Sequence, residues 1–150
     1  MSKEAVRTER APAPFQGAPY SQAIKANGFV FVSGQLSLLP GEKDLLAGDI
    51  TTQTEQVFKN LGAILEAAGS SLDRLVKTTV FLQSLDDFAG MNDVYAANVG
   101  TTPPARSMSR AMQLELTATH DLPMRRRSCC RALPAAPVRL RSSFRCPLDA

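Results

Sequence analysis

The chain is 150 residues long, 44% of its residues are hydrophobic and 21% are charged, and its formal net charge at pH 7 is +3. This length accommodates one domain with a hydrophobic core. Residues 1–7 mix acids and bases without an apolar run, so the sequence predicts neither a secretory signal nor a membrane span. We therefore expect a cytoplasmic protein with no membrane partner; the mitochondrion and the plastid remain alternatives.

The charge is divided unevenly along the chain. Residues 1–105 contain eight lysines and arginines against eleven acids, whereas residues 106–150 contain nine arginines, three acids and no lysine. The second part also contains the three cysteines and the single histidine: Cys129, Cys130, Cys146 and His120. Their spacing matches no zinc motif, so we expect reduced thiols and no metal site.

The first part of the chain has two clear strand patterns. Residues 29–33 are rich in β-formers, follow an Asn27-Gly28 turn and end at Gly34. Residues 75–82 form the second strand pattern, and both of its faces are mostly apolar or β-branched. The second pattern is typical of a central strand covered on each side, by helices or by another subunit.

Two helices are predicted, one before and one after the second strand in the chain. The first begins with a capping box at Thr52 and Glu55 and ends at Gly69. Its apolar stripe consists of Val57, Leu61, Ile64, Leu65 and Ala68. The second begins near residues 84–87, ends near Gly100 and directs four side chains inward: Phe88, Met91, Val94 and Tyr95. This alternation predicts an α+β layer with two helices on one face of a sheet.

Six segments together resemble a known family. They are GAPYSQA at residues 17–23, FVSGQ at 31–35, LGAILEAAG at 61–69, VKTTVFL at 76–82, FAGMNDVY at 88–95 and PARS at 104–107. Their order and spacing resemble the RidA family, also called the YjgF family, some of whose members are named L-PSP endoribonucleases. The resemblance covers roughly the first seven tenths of the chain.

The resemblance implies a fold, an assembly and a reaction. The fold is a chorismate-mutase-like α+β sheet, and the assembly is a homotrimer with active sites at the clefts between subunits. The reaction is hydrolysis of reactive 2-imino acids, such as 2-iminobutanoate and 2-iminopropanoate, to 2-oxo acids and ammonia, without a cofactor. Pyridoxal-phosphate-dependent dehydratases that act on threonine and serine release these substrates.

The resemblance also implies site residues. Arg106 would hold the substrate carboxylate by two parallel charge-assisted hydrogen bonds, and Tyr20 would offer a hydroxyl and a ring edge. Ser33 and Gly34 would bring backbone close to the substrate carboxylate, and Asn92 would lie in the cleft. From the residues alone, Arg106 is equally a solvated arginine after a loop, Tyr20 a packing residue and Asn92 an exposed helix amide.

From about Met108 the chain departs from the family pattern. The family's last strand is of the type Val-Glu-Ile-Glu-Ala, and its second glutamate positions or activates the water. The register assigns that position to Pro123, which cannot accept a proton. Residues 112–117 alternate as a short strand would, and Glu115 is the substitute acid we consider. We therefore expect the last strand to be missing or altered and the activity to be impaired.

The departure defines two regions and a second functional hypothesis. We expect a RidA-like domain at residues 1–107, with about 120 as the alternative end, and a poorly ordered basic tail at 121–150, rich in Pro, Arg and Cys, of the kind a frame shift or alternative splice produces. The tail suggests the alternative of an RNA-binding protein or endoribonuclease-type translation inhibitor. The sequence lacks a His pair or a His-Lys arrangement for RNA cleavage, so we favour the hydrolase.

Overall fold

The computed structural model describes residues 2–14, 18–110 and 139–141. The described residues form an α+β domain of two helices and two sheets. In chain order the elements are β1 (Lys3–Val6), β2 (Ala23–Ala26), β3 (Phe29–Val32), β4 (Gln35–Leu36), α1 (Ile50–Ala67), β5 (Lys77–Leu82), α2 (Phe88–Asn98), β6 (Ala105–Arg110) and β7 (Arg139–Arg141). The α+β class predicted from the sequence is confirmed.

The first sheet is an antiparallel meander of β1, β2 and β3. A two-residue turn, Asn27-Gly28, joins β2 to β3, and both residues have positive φ, 50° and 71°. This is the hairpin geometry that Asn-Gly favours, because its twist matches that of the flanking strands. The predicted turn is therefore confirmed, and β3 leads directly through Gly34 into the second sheet.

The second sheet has the strand order β4-β7-β5-β6. β6 runs parallel to β5, so the chain must cross over between them, and α2 provides this connection. β7 lies antiparallel between β4 and β5, with Leu140 opposite both Gln35 and Val80. The last strand is thus present in altered form, at residues 139–141 of the segment expected to be poorly ordered. The rest of that segment lies outside the described residues, so the domain division stays a prediction.

Helix α1 begins at Ile50, two residues before the predicted capping residue, so the expected Thr52 cap is wrong. The cap is Asp49, whose carboxylate accepts a hydrogen bond from the backbone N–H of Thr52 at 2.8 Å. The predicted end is confirmed: Gly69 has φ +79°, and its N–H donates to the Glu66 carbonyl while the Ser70 N–H donates to the Leu65 carbonyl. These two bonds form a Schellman motif.

The two helices cover one face of the sheets. The predicted stripe of α1 is buried throughout, as are Met91, Val94 and Tyr95 of α2. On β5 the side chains of Thr78, Val80 and Leu82 are buried, and those between them are partly exposed. Phe88 is 38% exposed, which corrects its predicted inward position. The reason is local: a 3₁₀ turn, Leu85–Asp87, precedes α2 and leaves Phe88 at the first helical position.

Two buried amides join α1 to the segment that begins with β4. Asn60 Nδ2 donates to the carbonyl oxygens of Leu36 and Leu38, at 3.1 and 2.8 Å, and Gln56 Nε2 donates to Asn60 Oδ1 at 2.9 Å. We call Gln56 and Asn60 the amide anchor. A strand of two residues makes few ladder hydrogen bonds, so the anchor supplies much of what fixes β4 against the helix.

Candidate functional site

Arg106 is the second residue of β6, immediately after Pro103, Pro104 and Ala105. The register places it beside Thr78 of the parallel neighbour β5, and its side chain is half-buried. Pairing with β5 begins one residue earlier, at Ala105, whose N–H donates to the Val76 carbonyl at 3.0 Å.

One face of α2 holds the Arg106 guanidinium. Asn92 Oδ1 accepts a hydrogen bond from Nη2 at 2.9 Å. The guanidinium carbon Cζ lies 4.5 Å from the ring centroid of Tyr95 and 5.7 Å from that of Phe88. These three residues are spaced i, i+4, i+7 and so share one side of the helix. We call Phe88, Asn92 and Tyr95 the guanidinium cradle.

The Tyr95 ring is itself held from two directions. Its hydroxyl forms a buried 2.7 Å hydrogen bond with Thr78 Oγ1 on β5. The Phe58 ring of α1 meets it edge-on, with centroids 5.6 Å apart and the ring planes at 76°. Tyr95 is therefore a fixed surface, on which a guanidinium stacks favourably by cation–π attraction.

The charge of Arg106 is not neutralised by the described part of the chain. The ion pairs found there are Arg10 with Glu66 and Lys25 with Glu4. Asn92 is neutral and accepts from one of the five guanidinium N–H groups. A guanidinium so placed can bind a carboxylate by two parallel hydrogen bonds, because its remaining donors form a planar fork.

The other predicted substrate-binding residues form a second group. Tyr20 is 44% exposed and lines an open cavity of about 900 Å³ with residues such as Arg7, Glu9 and Gln22. It also lines a smaller cavity of about 30 Å³ together with Gly34. Among the residues that the structure describes around either cavity, Arg106 and Asn92 are not found.

Ser33 uses its polar groups within the fold. Its hydroxyl donates to the Ser21 carbonyl at 2.6 Å, and its N–H donates to the Gln22 carbonyl at 2.9 Å. These bonds fix the approach to Gly34, which is exposed. Within the described part of one chain, the structure thus joins Arg106 to Asn92 and places Tyr20 beside Gly34.

Sequence reasoning missed Thr78 and Tyr95 as parts of the site. Both were assigned to strand or core packing alone, and the available signal was the i, i+4, i+7 spacing of Phe88, Asn92 and Tyr95. The proposed substitute acid Glu115 and the register position Pro123 lie outside the described residues. Across residues 2–14, 18–110 and 139–141 no group of three His, Cys, Asp or Glu side chains could hold a metal, and no helix could span a membrane.

A family model described as Endoribonuclease L-PSP matches residues 8–120. The chain belongs to the RidA family. It is 50% identical over 106 residues to a RutC family protein of Pyrococcus abyssi, covering 71% of this chain and 82% of that one. It is 46% identical over 122 residues to Reactive Intermediate Deaminase A, chloroplastic, of Arabidopsis thaliana, covering 81% of this chain and 64% of that one.

The yeast protein Mmf1 extends the comparison to structure. The mitochondrial protein MMF1 of Saccharomyces cerevisiae is 46% identical over 112 residues, which is 75% of each chain. The crystal structure of yeast Mmf1 superposes with a TM-score of 0.76, covers 99% of this RidA-family chain and 100% of its own, and is 34% identical.

Proposed function

We propose that this protein hydrolyses reactive 2-imino acids to 2-oxo acids and ammonia, with Arg106 as the clamp for the substrate carboxylate. The observation that carries this proposal is the positioned guanidinium, stacked on Tyr95 and hydrogen-bonded to Asn92 without a neutralising carboxylate in the described residues. The relative named Reactive Intermediate Deaminase A supports the reaction class.

The reaction depends more on how the substrate and the attacking water are positioned than on reactive side chains. Water adds its oxygen to C2 of the protonated imine, and the C=N electron pair moves to nitrogen. One water proton then moves to nitrogen, the carbinolamine expels ammonia as the C=O bond forms, and the other water proton leaves to solvent. Atoms and electrons therefore balance without a redox partner. Two parallel hydrogen bonds from Arg106 to the adjacent carboxylate fix C2 relative to the attacking water. The rate gain comes from this orientation and from charge stabilisation.

The complete site is expected at a cleft between copies of the chain. Tyr20 and Gly34 line one pair of cavities, whereas Arg106 and Asn92 form a separate group. A homotrimer would bring the first group of one copy toward the second group of another, and a 2-imino acid would then be held from both sides. Tyr20 would contribute its hydroxyl and Gly34 its backbone.

We propose that the activity is weaker than that of relatives with an acidic last strand. The last strand among the described residues, β7, reads Arg139-Leu140-Arg141, whereas the family type is Val-Glu-Ile-Glu-Ala. A variant whose end is rebuilt with a Val-Glu-Ile-Glu-Ala strand should therefore hydrolyse 2-imino acids faster than the parent. We call this variant the rebuilt protein. A parent as fast as the rebuilt protein would show that the family acid is dispensable here or has been replaced, with Glu115 as the residue to test.

The clamp is tested by coupling the protein to a threonine dehydratase and following release of 2-oxobutanoate. Arg106→Ala should reduce hydrolysis by roughly a hundredfold or more. Arg106→Lys should recover little, because an ammonium cannot reproduce the planar fork. Arg110→Ala is the matched control, since Arg110 lies on the same strand, is exposed and donates to the Gln83 carbonyl. Full activity in Arg106→Ala would contradict the proposal.

RNA cleavage is the counter-test on the same sample. The description of the matching family model, Endoribonuclease L-PSP, is the observation that favours it. The basic tail that suggested RNA binding lies outside the described residues. RNA degradation that survives Arg106→Ala, without measurable imine hydrolysis, would favour the alternative over the hydrolase.

The compartment is also a proposal. We expect the cytoplasm, whereas the names of two relatives place those proteins in the chloroplast and the mitochondrion. Imaging of the chain with a fluorescent protein fused to its carboxyl end separates these three locations.

A further inference from the structure

Thr78, Tyr95 and Arg106 form a continuous arrangement across three elements. Thr78 and Arg106 are register partners on adjacent strands, and the hydroxyl of Tyr95 reaches back from α2 to bond with Thr78. The ring of the same tyrosine lies 4.5 Å below the guanidinium carbon of Arg106. Tyr95 is thus fixed by one partner and supports the other.

We propose that Tyr95 and Thr78 are positioning residues for Arg106, an inference that rests on the proposed function. Neither needs to touch the substrate. The Thr78 hydroxyl fixes the ring of Tyr95, and the ring fixes the plane in which the guanidinium presents its free donors. The hydrogen bond to Asn92 sets the remaining rotation in that plane.

The physical reason is the length of the arginine side chain. Four side-chain dihedral angles connect the backbone of β6 to the guanidinium, and freezing them at the moment of binding costs free energy. A ring that restrains them beforehand moves that cost from substrate binding to folding, where burial of Tyr95, 5% exposed, offsets it. Because Tyr95 and Thr78 are buried, their hydrogen bond does not compete with bulk water.

The test compares variants that remove one link at a time. Tyr95→Phe retains the ring and deletes the hydroxyl, and Thr78→Val deletes the partner of that hydroxyl. Thr78→Ser keeps a hydroxyl and is the rescue variant. Val94→Ala is the control for lost packing, because Val94 is buried on α2 but lies on a different side of the helix from the guanidinium cradle.

Three measurements are made on each folded, full-length variant. The first is binding of the reaction product 2-oxobutanoate, by calorimetry. The second is the KM and kcat of imine hydrolysis. The third is the NMR signal of the Arg106 Nε–H group, whose ring-current shift and line width report stacking on Tyr95. A sample that is merely less folded lowers apparent kcat and leaves KM unchanged, so the KM change separates positioning from stability.

We expect Tyr95→Phe and Thr78→Val each to weaken 2-oxobutanoate binding by roughly three- to tenfold, and the double variant to be no weaker than either single one. The KM should rise by the same factor, the Arg106 signal should show faster side-chain motion, and Thr78→Ser should resemble the parent. Val94→Ala should leave the KM unchanged.

The outcomes distinguish this inference from the proposed function. If Arg106→Ala leaves 2-oxobutanoate binding and hydrolysis intact, the clamp itself is wrong. If Arg106→Ala abolishes both while Tyr95→Phe and Thr78→Val keep the parent's KM and Arg106 signal, only the positioning role is overturned. If the effects of Tyr95→Phe and Thr78→Val add up in the double variant, the two residues act independently of each other. That result would likewise overturn the proposal, in which both act through the same hydrogen bond on the position of Arg106.

Discussion

Gly62 and Gly90 each lie inside a helix, but the space beside them differs. A Cβ at Gly90 would lie 2.7 Å from Ile50 Cγ2, whereas one at Gly62 would lie 3.7 Å from Leu72 Cδ1. Gly90→Ala should therefore lower the free energy of unfolding by about 1–3 kcal/mol through overpacking. Gly62→Ala should raise it by about 0.5–1 kcal/mol, because alanine favours helix and meets only ordinary contact.

Urea unfolding of the two glycine variants checks these opposite signs. Both substitutions add the same methyl group inside a helix, so each serves as the control for the other. Equal shifts of the two midpoints would mean that helix propensity alone governs both positions and that the contact of Gly90 with Ile50 is not tight.

Asp49 makes the start of α1 sensitive to pH. The backbone N–H of Thr52, and then its side-chain hydroxyl, lower the pKa of Asp49 from the usual value. A lowered folded-state pKa stabilises the fold above the unfolded-state pKa of about 3.9, and this contribution is lost as the pH falls through the folded value. Asp49→Asn, which accepts a hydrogen bond without charge, should therefore unfold at a lower temperature than the parent at pH 7.

Thermal unfolding of the parent and Asp49→Asn between pH 2 and pH 7 measures this difference. We expect the gap between the two midpoints to close on the acid side, where the carboxyl of the parent is protonated. If the difference between the two midpoints is the same at pH 2 and at pH 7, the charge of Asp49 is not its cause. Asp44→Asn, which removes an exposed carboxylate outside the start of α1, is the control.

At the scale of elements, the amide anchor is the contact that fixes β4 to α1. Asn60→Ala would leave the carbonyl groups of Leu36 and Leu38 and the amide of Gln56 without this partner. We expect a loss of about 2–4 kcal/mol in the free energy of unfolding, since buried polar groups lose their pairing. Lys59→Ala, the exposed neighbour on the same helix, should change stability by less than about 0.5 kcal/mol.

Denaturant unfolding gives the size of the anchor's contribution, and amide hydrogen exchange gives its location. In Asn60→Ala the added exchange should be concentrated in residues 35–38. Equal unfolding free energies for Asn60→Ala and Lys59→Ala would show that β4 does not depend on the anchor.

The sequence predicted those elements whose pattern is long enough to carry a period. The stripe of α1, the buried residues Met91, Val94 and Tyr95 of α2 and the alternation of β5 are of this kind. The strands β1, β2 and β4 have four, four and two residues, which is too short for two-residue alternation to be distinguished from chance. The equally short β3 was predicted from its β-forming residues and the turn before it. The cap of α1 was misplaced because Asp49 and Thr52 both have capping side chains, and only backbone geometry distinguishes them.

The candidate site was predictable only in part for a similar reason. Arg106 and Asn92 came from the family resemblance, and their hydrogen bond agrees with it. The role of Tyr95 depends on where α2 crosses β6, which no local pattern in the sequence specifies. The strand β7 follows residues 111–138, and its three residues alone carry no detectable period.

At the scale of the whole molecule, the sheet face opposite the helices is the surface on which we expect assembly. Lys77, Thr79 and Phe81 are partly exposed there, and Phe31 of β3 is 39% exposed. The described residues of one chain cover only the other face, so we predict that copies meet through this surface in a closed trimer. Sedimentation velocity over a range of concentrations should show a trimer, with Lys59→Glu on the helix side as a control that does not change it.

Replacing Phe31 with Glu should shift this equilibrium toward smaller species by placing a charge on the expected contact surface. A parent protein that stays monomeric at high concentration, with full helix content by circular dichroism, would contradict the predicted assembly. It would also leave Tyr20 and Arg106 in separate places, and the site would then have to be sought within one chain.

The cradle and the clamp lie on one uninterrupted stretch of chain, from Thr78 on β5 to Arg106 on β6. The ribosome completes this stretch before it adds residue 111, and chains fold from their amino-terminal parts during synthesis. The contacts that hold Arg106 against β5 and α2 do not involve β7, whose place lies between β4 and β5. Until residues 139–141 arrive, both neighbouring strands present unpaired backbone groups that a strand of another nascent chain can enter. β4 and β5 are thus the strands through which newly made chains are open to strand exchange.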